Sequence, residues 1–243
     1  MDFLNALILL LNYIFVPALA YGSQLAIGAI FVTLIYGILR FANFATGDMM
    51  SFGTMVAILF TWYFQSLGLS LGFLPTALLA IPFAILFMGL YMLIIDKFVF
   101  KYYRLNKSPP VQLAMVSIGV MFVTQAVVRI IIGPSDRRFF DGEKFLIKAN
   151  EFKEMTGLNE GLAIKSTQVI TIVVTIILVS TLFWFLNKTK TGKSMRAYSD
   201  NEDLALLSGI DPKKIVMITW MIAAILATIG GVLYGLDKSF KPF

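Results

Sequence analysis

Long apolar blocks alternate with short polar stretches along this chain, and several blocks run 18 residues or more without a charge. Runs of that length match what an α-helix needs to cross the hydrocarbon of a bilayer. The first block, residues 3–39, has room for two helices with a weak point near Pro17 to Ser23, or for one tilted helix plus an interfacial one. Further spans are expected at 49–64, 71–95, 111–132, 167–186 and 215–236, about seven in all. The pattern predicts an all-α polytopic membrane protein, a single integral domain over residues 1–243.

One polar stretch, 188–214, is too long for a tight turn and carries its own folding instructions. Ser199-Asp200-Asn201-Glu202 is a capping-box pattern, Leu204-Ala205-Leu206-Leu207 continues a helix, and Gly209 is a natural stop. Asp211-Pro212 restarts a helix, with Asp as N-cap and Pro at the first helical position. A short structured helix on one face of a membrane protein is there to meet something. Lipid headgroups are one candidate. Asp200, Glu202 and Asp203 cluster on its first turn, which suits the helix dipole but not an anionic membrane surface, so a soluble protein is the expected partner.

Composition sharpens this picture by exclusion. The chain is 58% hydrophobic and 14% charged, where a soluble domain carries about a quarter charged residues. The net charge of +6 reads as the loop bias that orients helices, not as a nucleic-acid footprint. There is no cysteine and no histidine, which removes disulfides, thiol chemistry and most metal sites. No cofactor and no metal site is expected.

Loop charges give an orientation. The stretch 96–110 sets Lys97, Lys101, Arg104 and Lys107 against Asp96 and is expected on the cytoplasmic side. The longest loop, 133–166, balances Arg137, Arg138, Lys144, Lys148, Lys153 and Lys165 against Asp136, Asp141, Glu143, Glu151, Glu154 and Glu160, and is expected outside. The basic 188–214 stretch then falls inside, as does Arg40 if the first block is two spans. Gly231-x-x-x-Gly235 and Gly68-x-x-x-Gly72 read as sites of close helix approach.

No covalent active site is visible, and there is no P-loop for ATP. Polar groups in or beside the spans are therefore the candidates for chemistry. The segment from Arg40 to Asp48 separates two apolar runs. It reads as a cytoplasmic turn in which Asp48 caps the next helix, or as a bent segment lining a water-filled pathway; spacing favours the turn. Gln125 lies within a span, where it bonds another helix or meets a polar substrate. Arg129 lies toward the outer end of the same span and is expected to snorkel. Gln24 and Gln168 sit near span ends.

Three segments resemble one family, the LivH-type permease subunits of branched-chain amino-acid ABC importers. Tyr36-Gly37-Ile38-Leu39-Arg40-Phe41-Ala42-Asn43-Phe44-Ala45-Thr46-Gly47-Asp48 is similar to its YGILxxxNFAHGD/E segment. Ser117-Ile118-Gly119 followed by Gln125 resembles its T-I-G…Q span. Thr191-Gly192-Lys193-Ser194-Met195-Arg196-Ala197, through Ala205 to Gly209-Ile210-Asp211, resembles its coupling loop, which fits a groove on the ATPase. Thr46 stands where the family has histidine, so no imidazole role carries over. Family members continue beyond the equivalent of Phe243, and the resemblance implies a C-terminally truncated chain.

The resemblance implies a multi-pass permease of the bacterial inner membrane, moving branched-chain or similar small amino acids. Urea or amide import is the alternative, and an ion-coupled secondary transporter a more distant one, since acidic residues fall almost wholly in loops. The implied partners are a second permease subunit, two ABC ATPase subunits that hydrolyse the ATP, an extracytoplasmic solute-binding protein and the lipid bilayer; no nucleic acid is involved. The resemblance assigns ATPase coupling to Gly192, Arg196, Ala197, Asp200, Asn201, Leu204, Ala205 and Gly209, and the pathway to Asn43, Gly47, Asp48 and Gln125. No charged pair for a zwitterion is visible in the spans, which implies a weak site with selectivity set by the binding protein.

Overall fold

The first apolar block does not break. In a computed structural model that describes residues 2–69, 71–72, 74–139, 145–157 and 160–241, helix α1 runs continuously through Asp2–Leu10, a π-helical turn at Leu11–Phe15 and Val16–Leu39. The weak point at Pro17 is absorbed by that turn. Val16 N–H bonds back to Leu11 O, so the wide turn sits where the proline lacks a donor and the helix continues past it.

The other long helices are α2 (Thr46–Ser66), α3 (77–105), α4 (Pro110–Ile132), α6 (Ser166–Lys188) and α9 (Pro212–Asp237). Among the described residues, five helices are long and apolar enough to cross a membrane. α2 has the length but more polar residues. The expected count of about seven therefore becomes six helices of spanning length, because residues 3–39 form one helix. The protein is an all-α polytopic membrane protein.

The expected loop 96–110 is mostly helix. α3 continues through a π turn at Asp96–Phe100 and a last α turn at Lys101–Leu105, leaving only 106–109 as the connection to α4. Eight residues apart, two side chains on an unbroken α-helix are about 80° out of line. The π turn absorbs one residue and sets Arg104 over Asp96, where its guanidinium donates to both carboxylate oxygens at 2.9 and 3.1 Å. Trp220 Nε1 donates to the same carboxylate at 2.8 Å, and its ring stacks on Phe100 with centroids 5.7 Å apart.

α9 is the axis of the bundle. Asp211 caps it by accepting from Lys213 N–H at 2.9 Å, and Pro212 opens it. Its buried face carries Ala223, Ala224, Ala227, Gly230, Gly231 and Gly235, small residues that let α1, α2 and α3 pack closely. A Cβ on Gly230 would meet Ile27 at 2.8 Å, and one on Gly231 would meet the Met50 carbonyl oxygen at 2.8 Å and collide with Thr54. The expected packing role of Gly231 and Gly235 is met. Gly68 and Gly72 do something else: both lie in the connection after α2 with φ of +74° and +61° and open space around them. They make turns, a conformation glycine tolerates and other residues resist.

α4 packs on α2, and α6 packs on α1. The connection between α4 and α6 holds a short antiparallel pair, β1 (Phe145–Ile147) and β2 (Ile164–Lys165), around α5 (Ala149–Thr156). Asp141, Glu143 and Lys144, three of the charges counted in this loop, lie outside the described residues. At the same end of the bundle Arg137 pairs its backbone with Phe240, at 2.8 and 2.9 Å.

Candidate functional site

Residues 40–48 form a tucked turn. α1 ends on Arg40, whose φ of +59° is a left-handed conformation that favours glycine or asparagine over arginine. Asn43 is buried and builds an Asx turn, its Oδ1 accepting from Ala45 N–H at 3.1 Å. Phe44 N–H donates to Ser117 Oγ at 2.9 Å. Ser117 is two turns into α4, so the turn reaches between the helices and does not lie at their ends. Asp48 is in the first turn of α2 but does not cap it; the N-cap is Ala45, with no side-chain bond. Gly47 is exposed, with nothing within 4 Å of the place a Cβ would take.

The polar stretch after α6 folds into two short helices, α7 (Lys190–Asp200) and α8 (Glu202–Leu207). Thr189 caps α7 through Gly192 N–H at 2.9 Å. Gly192 is required there, because a Cβ would strike the Phe185 carbonyl oxygen and lie 2.6 Å from Leu186 Cα. The cap of α8 is Asn201, accepting from Leu204 N–H at 3.0 Å, in place of the Ser199 cap expected from the sequence. Ser199 is used elsewhere: its hydroxyl donates to Gly37 O at 2.7 Å. Gly209 ends α8 with φ of +80°, the stop that was expected.

This collar is bound to the end of α1. Arg40 Nη2 donates to the carbonyl oxygens of Ser199 and Asp200, the latter at 3.2 Å. These are the last carbonyls of α7, where a cation also meets the negative end of the helix dipole. Arg196 Nη1 donates to Asn187 Oδ1 at 2.9 Å, joining α7 to α6. Tyr198 is buried and donates to Glu202 at 2.8 Å. Burial, reinforced by that carboxylate, pushes its hydroxyl well above the usual tyrosine range, so it stays protonated. Outward, the collar shows Ala197, Asp200, Asn201 and Leu204, with Leu204 61% and Leu207 86% exposed; Ala205 faces the core.

A second polar group lies deeper. Tyr91, at the midpoint of α3, stacks on Phe52 with centroids 4.0 Å apart, and its hydroxyl is 2.7 Å from Thr124 Oγ1. Phe52 is one turn beyond Asp48 on α2, and Thr124 adjoins Gln125 on α4. A tyrosine in the middle of an apolar span was the visible clue, since a buried phenol seeks a partner.

The family model for the branched-chain amino acid transport system / permease component matches residues 14–243. The chain is 27% identical over 218 residues to the high-affinity branched-chain amino acid transport system permease protein LivH of Escherichia coli (strain K12), covering 88% of this chain and 67% of that protein. It is 26% identical over 224 residues to the corresponding permease protein BraD of Pseudomonas aeruginosa, covering 91% and 70%. To the probable branched-chain amino acid transport permease protein LivH of Methanocaldococcus jannaschii it is 26% identical over 234 residues, covering 93% and 66%. The chain therefore spans about two thirds of the length of these relatives. No solved structure matches it. With a family model covering nearly all of its length, the chain belongs to the branched-chain amino acid transport system permease family.

Proposed function

We propose that this chain is the permease subunit of an ATP-driven importer in the cytoplasmic (inner) membrane, carrying branched-chain or similar small amino acids. A second permease subunit completes the pathway. A solute-binding protein delivers substrate from outside, and two ATPase subunits dock on the collar of α7 and α8. The observation that carries this reading is the junction of Arg40 and Ser199 with the end of α1. A collar exposing Leu204 and Leu207 to a partner is joined, three residues before Asn43, to the turn that enters the bundle.

The geometry suggests how the parts act together. Closure of the ATPases on ATP moves α8. Asn201 links α8 directly to α7, and Arg40 grips the end of α7, so the motion passes to the end of α1 and to residues 41–48. Phe44 in turn is held by Ser117 of α4. A push at the collar thereby shifts the seam of α2 and α4, and the bundle exchanges one opening for the other. In this reading Gly192, Arg196, Ala197, Asp200, Asn201, Leu204, Ala205 and Gly209 serve coupling, Asn43 shapes the turn, and Gly47, Asp48 and Gln125 face the pathway.

The test uses single cysteines at Asn201 and Leu204, on a chain with no native cysteine. Crosslinking to an ATPase subunit in membranes, changing with ATP, is the expected result. Labelling of these positions by an extracytoplasmic thiol reagent would invert the orientation and remove the coupling assignment. Uptake that stops with a protonophore while ATP is maintained would favour ion coupling instead.

A further inference from the structure

Where α1 and α6 reach the collar, a groove of about 340 Å³ opens on the flank of the bundle. Ile30, Leu34 and Ile38 of α1 and Leu182 and Leu186 of α6 wall it, and α7 closes its end with Met195, Arg196 and Ser199. The walls are almost wholly apolar, and the closed end carries a charge. Arg196 gives one guanidinium nitrogen to Asn187 Oδ1 at 2.9 Å, and its other N–H groups donate to no residue among the described ones. Its side chain is exposed.

Exposed aromatic rings mark the level of this groove. Tyr36 and Trp184, each 60% exposed, stand one turn before Arg40 at the end of α1 and Lys188 at the end of α6. Rings with an apolar body and a polar edge collect where hydrocarbon gives way to headgroups. The apolar walls therefore lie in hydrocarbon and Arg196 lies among headgroups. Charge near that end is mostly of one sign. Lys193 is one turn from Arg196, Lys190 opens α7, and both are exposed, as is Lys188. The acidic residue of α7, Asp200, is at its far end. Lys190 and Lys193 stand in the first turn of α7, where the helix dipole favours anions and opposes cations. An anion bound there is favoured by the dipole, the lysines and the free edge of Arg196 together.

We infer that this groove holds an acyl chain of an anionic phospholipid, with the lipid phosphate on Arg196. Apolar walls alone retain no lipid chain, because the surrounding hydrocarbon solvates it as well. Charge-assisted hydrogen bonds from a guanidinium to a phosphate supply the retention, as in basic pockets between helices at a membrane face. A spanning helix of another subunit would have to continue where α7 closes the groove, whereas a lipid ends there in its headgroup. The occupant also touches the joint between the collar and α1: Ser199 Oγ donates to Gly37 O at 2.7 Å, and both residues line the groove. The lipid thus braces the contact through which the collar acts. Its place in the cytoplasmic leaflet and its bracing role rest on the importer reading.

The experiment has two parts. Thr33 is exposed and lines the groove, and the chain has no native cysteine. A Thr33→Cys chain in the complete transporter, delipidated in detergent, is treated with a water-soluble thiol reagent. Phosphatidylglycerol is expected to slow labelling at least threefold, phosphatidylcholine with the same acyl chains is not, and Arg196→Gln is expected to remove the protection. A smaller slowing, equal protection by phosphatidylcholine, or protection that survives Arg196→Gln overturns the site. Equal protection by glycerol 3-phosphate would make the ligand a soluble phosphate, and a crosslink from Thr33→Cys to another subunit would put protein in the groove; either overturns the lipid. In the second part, ATPase stimulation by loaded binding protein is compared in vesicles with and without phosphatidylglycerol. Stimulation is expected to be at least twofold greater with it, and to lose that dependence in Thr33→Trp, which fills the groove from its exposed edge. Equal stimulation in both vesicles, or a dependence that persists in Thr33→Trp, overturns the bracing role. A parent with no stimulation in either vesicle overturns the importer reading instead, and the labelling result then decides the site by itself.

Discussion

α9 and α6 are both apolar enough to cross a membrane, yet 67% of the most apolar stretch of α9 is buried against 11% of that of α6, although α6 has the higher hydropathy of the two. In water, greater apolarity would mean deeper burial. In lipid it does not, because hydrocarbon solvates a leucine as well as another helix does. The difference lies in side-chain size. α9 turns alanines, glycines and threonines toward its neighbours, while α6 shows Ile176, Ile177, Phe183 and Trp184 at its surface. Close backbone approach is what builds this core, and large apolar side chains mark the faces left for lipid or for another subunit.

The strongest way to break the comparison is to give α9 the surface of α6. Gly231→Leu places a side chain where even a Cβ meets the Met50 carbonyl oxygen at 2.8 Å. The atom in the way is backbone and cannot rotate aside. The expected cost is about 3 kcal/mol, at the upper end for overpacking, read as a loss of thermal stability in detergent. A stability change below about 0.5 kcal/mol, the range of an ordinary surface substitution, would show that α9 and α2 separate without penalty.

Asp96→Ala is expected to come next, at about 2 kcal/mol. It leaves the Arg104 guanidinium and Trp220 Nε1 without their acceptor, and stranded donors carry most of that effect. Asp96 is 14% and Arg104 26% exposed at the side chain, so water takes up part of the loss. Asp96→Asn keeps an acceptor for Trp220 and gives up the ion pair; it is expected to fall about midway. Equal effects from the two variants would remove the charge from the explanation.

How much of this was legible follows from the kind of interaction. Span positions came from apolar runs, and caps at Asp211 and the stop at Gly209 came from local chemistry, because each depends on neighbours in sequence. The packing role of Gly231 was legible for the same reason. The bond from Arg40 to α7 was not, since it joins residues 160 positions apart, and Arg40 read only as a mark of the inner face. The Asn201 cap was misplaced by two residues because Ser199 looks equally suited until Gly37 claims its hydroxyl. Asp48 and Gln125 stood out as polar residues at span edges or interiors, but how far the 40–48 turn enters the bundle rests on the bond from Phe44 to Ser117, 73 positions apart, and no local pattern encodes it.

The collar provides a gentler perturbation. Asn201→Ala removes the bond to Leu204 N–H and is expected to weaken α8 by about 1 kcal/mol, so its amides exchange roughly fivefold faster. Arg40→Gly is more informative because two effects oppose each other. Glycine relieves the left-handed φ of +59°, worth about 1 kcal/mol, while the cap on the last carbonyls of α7 is lost. Global stability is expected to change little, with faster exchange confined to residues near 197–200. Uniform exchange across the bundle would mean that Arg40 supports α1 and not the collar.

The smallest effect is expected on α6, and it sharpens the comparison most. Ile177 is 59% exposed on the single chain, so Ile177→Ala removes methyl groups from a side chain that mostly faces outward. Facing lipid, it is expected to change stability by less than about 0.5 kcal/mol, since lipid fills the space and no cavity forms. The measurement is made twice, on the isolated subunit and on the assembled transporter. A loss near 2 kcal/mol in the assembly alone, the size of a large-to-small change in a packed core, would place a second subunit against α6. Equal and small values in both states leave α6 to lipid, and the partner then belongs against another exposed face, with the open side of α4 as the place to repeat the test.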